Sequence, residues 1–231
     1  MRESFSRITA AMLALALSAL IYLPEAKADL IVTFSSSSTT LGSGSLPSES
    51  GTYVTADFSY LNAHQVALVL NVTNTVPNLA TDSVAFEFAS VYASNSTTYQ
   101  QNSGPTPKGV TFSSSNTEKL PGSGNEQFNS LFDFSGNGGK LNSQNSAKFT
   151  ITFGTSTDLS KDLSGLLVAG STTGDYYAGA HLTSFDSGKS VAVTGAISTT
   201  SVPEPSALVT GSIGVLLIGF AAARRHRRPR A

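Results

Sequence analysis

Apolar and polar residues alternate in several short stretches between residues 29 and 200, and this period of two is typical of half-buried β-strands. Residues 52–60 place Val54, Ala56 and Phe58 on one face, with polar residues between them. Residues 65–73 are more continuously apolar, which predicts a central strand, and the turn at 62–64 joins the two strands into a hairpin. The remaining predicted strands are 30–34, 83–92, 110–112, 128–134, 148–153, 176–185 and 190–197.

The segments between these stretches carry the residues of loops and turns. Residues 35–51 are rich in serine, glycine and proline, and residues 113–124 are predicted to form a flexible connection. Residues 163–169 fit either a weak strand or a short helix. No sustained helical period and no internal repeat occurs between the two ends of the chain, which argues against a propeller or a β-helix. About nine short strands separated by turns therefore predict an all-β fold, specifically a jelly-roll-like antiparallel β-sandwich.

The N-terminus has the three parts of a secretory signal peptide. Arg2 and Arg7 supply its positive start, and residues 8–23 supply its apolar segment. The small residues Ala26 and Ala28 then form the pattern that signal peptidase recognises, which predicts cleavage directly after Ala28. An uncleaved N-terminal anchor is the alternative. It is disfavoured because the apolar segment is short for a spanning helix and a cleavage pattern follows it at once.

The C-terminal region contains one further apolar run, at residues 207–223. As a helix this run covers roughly 25 Å, the lower limit for crossing a bilayer core, and its three glycines weaken it as a permanent anchor. Five arginines follow within seven residues, so the positive-inside rule predicts a cytoplasmic C-terminus and an exported body. A nucleic-acid-binding tail is the alternative, disfavoured because the arginines adjoin an apolar span in a chain predicted to be exported.

A Pro-Glu-Pro triplet, Pro203-Glu204-Pro205, precedes this run. The prolines fix two φ angles and keep the residues before them out of a helix, so Glu204 is displayed in an extended segment. The arginine cluster after the run comprises Arg224, Arg225, Arg227 and Arg228. The triplet, the apolar run and the arginine cluster together resemble the PEP-CTERM sorting signal of Gram-negative bacteria.

The resemblance covers about 30 of the 231 residues and implies a route through the cell envelope. It implies recognition by exosortase, a membrane-embedded cysteine transpeptidase-like protease that cuts near the triplet. With the signal peptide, it implies export through the Sec machinery, release by signal peptidase and a transient stay in the inner membrane. The implied destination is the cell surface or the extracellular space of cells that make exopolysaccharide and biofilm. An ordinary extended linker before a tail anchor is the alternative for the triplet.

The chain is accordingly predicted to have three parts. They are a signal peptide at 1–28, a β-sandwich passenger domain at 29–200, and a sorting signal with a transmembrane helix at 201–231. The passenger is acidic, although the whole chain has a formal charge of only −1: it holds six lysines, no arginine and twelve acidic residues, a charge of −6. This balance disfavours nucleic-acid binding. Because cysteine is absent, the chain forms no disulfide, thiol nucleophile or thiolate metal site. No cofactor is predicted.

Histidines are the first candidates for catalysis, and the passenger has two of them, His64 and His181. His64 falls in the predicted hairpin turn, which favours a solvated or locally bonded role. His181 lies on a predicted strand, where Asp175 or Asp186 could pair with it to form a base. No serine or threonine stands in a recognisable nucleophile motif. The sequence therefore predicts no enzyme, with a secreted hydrolase as an alternative.

A second candidate site has the spacing of a calcium loop. Asp133, Ser135 and Asn137 hold the positions of the first three oxygen ligands. Gln144 stands where such loops carry a bidentate glutamate, so the site has a single carboxylate. Because asparagine followed by glycine is also a strong hairpin-turn signal, the pattern favours a turn, and calcium is the weaker alternative.

Aromatic side chains offer a third candidate, a sugar-binding face. The tyrosines that could line it are Tyr53, Tyr60, Tyr92, Tyr99, Tyr176 and Tyr177. Tryptophan, the strongest stacking residue, is absent. The sequence predicts a structural or binding module associated with exopolysaccharide or biofilm. A carbohydrate-binding module that retains exopolysaccharide is the first alternative, and the hydrolase is the second.

Overall fold

Antiparallel β-strands make up the regular structure of the passenger. The computed structural model describes residues 29–92, 96–136, 139–154, 159, 163–171, 174–186 and 188–200. Their strands are β1 (Asp29–Ser35), β2 (Thr40–Leu41), β3 (Thr52–Asn62), β4 (Gln65–Val72), β5 (Ala80–Phe86), β6 (Thr98–Ser103), β7 (Gly109–Phe112), β8 (Glu118–Lys119), β9 (Gln127–Phe128), β10 (Ser130–Asp133), β11 (Leu141–Asn142), β12 (Ser146–Thr152), β13 (Ala178–Phe185), β14 (Lys189–Thr194) and β15 (Ala196–Thr200). Within these ranges no helix is long and apolar enough to span a membrane.

Six strands form the first sheet, called sheet A, in the order β15-β1-β3-β4-β12-β6. The predicted hairpin is confirmed as β3 and β4, whose register pairs Val54 with Val72 and Phe58 with Leu68. Strand β4 alternates strictly between half-buried and buried residues, because one face packs on the core and the other faces outward. Strand β1 lies between β15 and β3 and pairs Asp29 with Thr200.

Seven strands form the second sheet, called sheet B. Six follow the order β2-β14-β13-β5-β10-β7, and β11 also pairs with β5. A separate two-stranded ladder joins β8 to β9. The all-β class and the antiparallel pairing predicted from the sequence are therefore confirmed.

The two sheets pack face to face around an aromatic core. Phe58 of sheet A meets Phe86 of sheet B edge-on, with ring centroids 5.1 Å apart, and Phe88 completes the contact at 6.0 Å from Phe58. The completely buried phenylalanines are Phe34, Phe58, Phe86, Phe88, Phe128, Phe132, Phe134, Phe149 and Phe185. Edge-to-face rings add to the stabilisation from buried apolar area. The core thus stabilises a chain that has no cysteine for a disulfide.

The chain crosses from sheet B to sheet A at Gly195. Residues 190–197 were expected to be one strand, and that prediction is wrong because they divide between β14 and β15. A Cβ on Gly195 would lie 2.5 Å from Val32 Cγ1 and 2.9 Å from Phe34 Cε1, so no larger residue fits at this crossing. The apolar pattern continues through the glycine, and it therefore shows no interruption at the break.

Three other sequence predictions need correction. Strand β5 ends at Phe86, whereas the predicted strand continued to residue 92. The predicted strand 128–134 is interrupted at Asn129, between β9 and β10. Residues 163–169 form neither a strand nor a helix: they are turns with one isolated bridge from Leu167 to Phe88, and their leucines fill the core.

The polar strand β6 was not predicted, because its residues show no apolar alternation. Short strands also occur in the two predicted loops, β2 within 35–51 and β8 within 113–124. The predicted signal peptide with Ala26 and Ala28 lies outside the described residues, as does the predicted sorting signal. The processing residues of that signal are Pro203, Glu204, Pro205, Arg224, Arg225, Arg227 and Arg228.

Candidate functional site

The outer face of sheet B carries two polar clusters, both built on β5. Val84 and Phe86 of this strand point into the core, so the alternate residues point outward. Ser83 stands on this outer face opposite His181 of β13. Glu87, just after the strand, continues the same face: its backbone N–H donates to the carbonyl of Tyr177. The strand thus places His181 with its hydrogen-bond partner near one end and the Glu87 carboxyl near the other.

The first cluster is an Asp–His pair. The imidazole Nδ1 of His181 lies 2.7 Å from Oδ1 of Asp82, and both side chains are almost buried, with 12% and 13% exposed. The β5–β13 register shifts between His181 and Leu182, which leaves Asp82 as an extra residue of β5 beside the imidazole. The hydroxyl of Ser83 also donates to Oδ1 of Asp82, at 3.3 Å.

A tight glycine loop lies against the other edge of the imidazole. A Cβ on Gly122 would be 3.0 Å from both Nε2 and Cδ2 of His181, and Gly122 has a φ of +72°, a conformation that favours glycine. The hydroxyl of Ser123 closes this loop by donating to the carbonyl of Leu120 at 2.6 Å. The histidine is therefore fixed at Nδ1 and covered at Nε2.

The Asp–His pair has two parts of a catalytic triad, because an aspartate orients the imidazole. The third part is a nucleophile that hydrogen-bonds to the other ring nitrogen. Among the described residues, no serine or threonine hydroxyl hydrogen-bonds to the His181 ring: Ser83 donates to the aspartate, and Thr81 donates to the backbone carbonyl of His181. The arrangement can hold a proton between two side chains and lock two strands together.

The partner of His181 differs from the sequence expectation. The sequence offered Asp175 or Asp186 as a partner that could make His181 a base, whereas the imidazole bonds to Asp82, 99 residues away along the chain. Asp186 instead lies 3.9 Å from the ammonium of Lys189. His64 occupies the turn between β3 and β4, as expected, and its backbone N–H donates to the side chain of Asn62.

We expect the Asp–His pair to contribute to stability. Replacing Asp82 with alanine removes the acceptor for the imidazole and for the Ser83 hydroxyl, and should lower the free energy of unfolding by about 1 to 3 kcal/mol. Urea unfolding followed by circular dichroism measures the loss. Lys189→Ala is the control, because an exposed ion pair contributes about 0 to 1 kcal/mol. Equal stability of Asp82→Ala and the control would contradict a structural role for the pair.

The second cluster surrounds Glu87, which is only 5% exposed. Its Oε1 accepts from the side-chain amide of Asn129 at 2.9 Å, and its Oε2 accepts from the backbone N–H of the same residue at 3.2 Å. Burial raises the pKa of Glu87 from its ordinary value of 4.5 to about 7, although the hydrogen bonds from Asn129 and the side chain of Asn116 oppose this. Glu87 is therefore a buried group that exchanges its proton near neutral pH.

Asn129 has a structural role that explains the break between β9 and β10. Its side-chain amide accepts from the Phe88 N–H at 2.9 Å and donates to the Phe88 carbonyl at 2.6 Å. The amide thus takes the place of a strand partner for the backbone just beyond β5. The same NH₂ group also donates to Glu87, so one asparagine satisfies the backbone and the carboxyl together.

An apolar plug separates the two clusters. It consists of the buried residues Leu41, Ala85, Leu120, Phe128 and Ala192. Gly179 lies beneath it, since a Cβ there would come within 2.6 Å of Leu120 and 3.0 Å of Phe128. Ser83 and Glu87 are four residues apart, roughly 13 Å along an extended strand. Sheet B therefore does not bring Glu87 and His181 into one site.

The predicted calcium loop begins with a turn. Oδ1 of Asp133 accepts from the backbone N–H of Ser135 at 2.8 Å, a local bond typical of turns. Asn137, the third proposed ligand, lies outside the described residues. The described ranges contain no group of three or more acidic or histidine side chains that could hold a metal ion. The calcium assignment stays a prediction, and the local geometry favours the turn.

The tyrosines do not share one face. Tyr53 is buried in the core and donates its hydroxyl to the Glu49 carbonyl at 2.9 Å. Tyr60 and Tyr92 pack partly against the same core. The two most exposed tyrosines are far apart in the topology, because Tyr99 lies on the edge strand of sheet A and Tyr177 precedes β13 of sheet B. No continuous aromatic platform joins them.

Sequence reasoning missed Asp82, Glu87 and Asn129. Glu87 gave a signal, because a single charged residue in the apolar stretch 84–89 indicates a buried acid. Asp82 and Asn129 gave none, since each acts on a residue more than 40 positions away.

Comparisons with known proteins add no relative. No family model matches the chain, no curated protein is significantly similar to it, and no solved structure resembles it significantly.

Proposed function

We propose that the chain is an exported cell-surface or extracellular-matrix protein whose β-sandwich is a structural or binding module processed by exosortase. The observation that carries the proposal is the C-terminal series of Pro-Glu-Pro triplet, apolar run and arginine cluster. The folded part fits between the two predicted processing sites. Strands β1 (Asp29–Ser35) and β15 (Ala196–Thr200) both lie between these sites.

The placement of the strand ends supports this route. Asp29 pairs directly with Thr200, so the folded domain begins and ends at neighbouring positions on one sheet. Neighbouring ends are compatible with a body carried between two segments inserted in the same membrane. The partners in the proposal are the Sec machinery, signal peptidase and exosortase. The inner membrane is a transient location, with the C-terminus in the cytoplasm.

We further propose a jelly-roll topology for the sandwich. Two face-to-face antiparallel sheets and repeated crossings between them, such as the one at Gly195, support it. Within the exopolysaccharide or biofilm matrix, we favour a structural role over sugar binding because the tyrosines are divided between the sheets. A pull-down with the polysaccharide of the producing cells separates the two roles, since only a carbohydrate-binding module is retained.

A hydrolase is the less favoured alternative. The Asp82–His181 pair is its best support, yet the imidazole is covered at Gly122 and the serine beside it bonds to the aspartate. We therefore assign no catalytic residue and no cofactor, and the Asp82–His181 pair has a stabilising role. The acidic passenger also makes nucleic acid an unfavourable partner.

Mass spectrometry of the protein from its producing cells tests the processing. We expect a mature chain that begins at Asp29 and ends near the triplet at 203–205, without the arginine cluster. Deleting exosortase or changing Glu204 to alanine should leave the C-terminus intact. Ser198→Ala, on β15, is the matched control and should leave processing normal. An arginine-rich end that survives in normal cells would rule out the sorting signal.

A further inference from the structure

Strand β6 is an open edge of sheet A. It pairs with β12 on one side, and no strand of the described residues pairs with its other side. Five of its six residues are exposed, and Tyr99 retains 41% of its accessible surface. A free strand edge presents unpaired N–H and C=O groups that can extend the sheet with another strand.

This edge has one of the features that usually prevent such pairing, a bulge near its C-terminal end. Natural edges are protected by charged residues, especially lysine, by proline, or by a bulge. Residues 98–103 contain no charge and no proline. The register with β12 is irregular only between Ser103 and Gln101, where Asn102 is the extra residue. The segment from Thr98 to Gln101 therefore remains a regular, unprotected edge.

The side chains of the edge indicate which kind of strand fits it. Gln101 donates its side-chain NH₂ to the carbonyls of Gly104 and Pro105, and Asn102 donates its own to the hydroxyl of Thr150. Gln100 is exposed, and its amide carries both donors and an acceptor, so the same residue of a like strand can satisfy it. A charged partner strand would find no opposite charge here. The other edge of sheet A, β15, is also uncharged. It has only alanine, isoleucine, serine and threonine, so no side-chain amides are available to hydrogen-bond to a like strand.

We infer that β6 is a self-association edge, where the β6 strand of a second copy pairs antiparallel and joins two A sheets into one. Gln100 pairs with Thr150 on the outer face, whereas Tyr99 faces inward and contacts Phe149 with ring centroids 6.3 Å apart. Directly opposed residues of an antiparallel pair point to the same face, so a two-fold axis perpendicular to the sheet can pass through Gln100 or through Tyr99. We place the axis at Gln100, the exposed amide on the outer face, which then stands opposite Gln100 of the second copy.

The association is weak and depends on concentration. One pair of six-residue strands buries less surface than the roughly 1,200 Å² at which stable interfaces begin. A matrix holds its proteins at high local concentration, which favours such contacts. The inference holds whether or not the chain is exported, because it rests on the edge of the folded domain alone.

Sedimentation velocity of the protein recovered from its producing cells tests the inference. We expect a reversible monomer–dimer equilibrium as concentration rises. Gln100→Lys should weaken dimerisation by about fivefold or more, because two like charges then face each other at the axis. Ser198→Lys places the same charge on the outer face of the opposite edge, β15, and should leave the equilibrium unchanged. A chain that stays monomeric at millimolar concentration, or equal effects of both variants, would overturn the inference.

Cross-linking tests the register separately. The chain has no cysteine, so Gln100→Cys introduces a single thiol. Directly opposed residues of an antiparallel pair have Cβ atoms about 4.5–5.5 Å apart. A short bifunctional thiol reagent should therefore convert this variant to covalent dimers in proportion to the dimer seen by sedimentation, whereas Ser198→Cys should stay monomeric. Equal cross-linking of the two variants would exclude pairing through β6.

Discussion

Replacing Phe86 with alanine should lower the free energy of unfolding by about 3 to 5 kcal/mol, the usual range for a buried phenylalanine. Phe86 is completely buried and joins the sheets, with ring centroids 5.1 Å from Phe58 and 5.9 Å from Phe132. The alanine leaves a cavity that the rigid sheets cannot close. For a domain of this size, the corresponding fall in Tm is roughly 6 to 20 °C.

Guanidinium unfolding followed by tyrosine fluorescence and circular dichroism measures this loss, since the chain has no tryptophan. Leu61→Ala is the matched control. Leu61 lies on β3 of the same sandwich but is 44% exposed, and its truncation should change stability by no more than about 0.5 kcal/mol. Similar losses for both variants would show that the aromatic contact between the sheets is not the main source of stability.

The second large effect is a loss of stability as the pH rises towards neutrality. The folded state keeps the proton of Glu87 up to about pH 7, whereas the unfolded chain releases it near 4.5. Between these values the folded state binds more protons, so the free energy of unfolding falls as the pH rises. One pKa unit corresponds to about 1.4 kcal/mol, so the loss from this carboxyl is at most about 3.5 kcal/mol. Above the folded-state pKa its contribution is constant.

Glu87→Gln should remove this part of the pH dependence. The free energy of unfolding is measured for both proteins from pH 4 to pH 8, and the difference between them isolates Glu87 from the other titrating groups. We expect the free energy of unfolding of the wild type to fall relative to that of Glu87→Gln between about pH 4.5 and pH 7, and the difference to stay constant above pH 7. Glu118→Gln, on β8, is the matched control and should follow the wild-type curve. Parallel curves for the wild type and Glu87→Gln would contradict the raised pKa.

The sequence was most informative where one face of a strand is buried. Residues 52–60 and 65–73 predicted β3 and β4 within one or two residues, because alternation records which side chains face the core. The same reasoning failed for β6, whose residues are polar on both faces. That strand forms because its backbone pairs with β12, and pairing with a distant strand leaves no pattern in the local sequence.

Sheet membership was equally invisible. Apolar residues occur on both sides of Gly195, such as Val193 and Ile197, because both strands pack in the same sandwich, although one strand belongs to each sheet. The leucines at 163, 166 and 167 gave an apolar signal without regular structure, since they close the core from turns. Burial was therefore predictable at these positions. Whether a buried side chain belongs to a strand of sheet A, a strand of sheet B or a turn was not.

The candidate site shows the same limit in a stronger form. His181 was identified from its residue type, but its partner Asp82 comes from a register shift between β5 and β13. The Glu87–Asn129 contact likewise depends on the pairing of β5 with β10. Residue type predicts which side chains can carry chemistry, and only the pairing of distant strands decides which of them meet.

The pairing of Asp29 with Thr200 has a mechanical consequence. Hydrogen bonds in an antiparallel ladder run perpendicular to the strands. A force that pulls the two ends of the domain apart therefore opens the β1–β15 ladder one residue pair at a time, from Asp29 towards Thr33, and never loads its five pairs together. A tether at one end alone leaves this ladder unloaded. Tension carried from one end of the domain to the other therefore unzips this ladder, whereas attachment at one end does not load it.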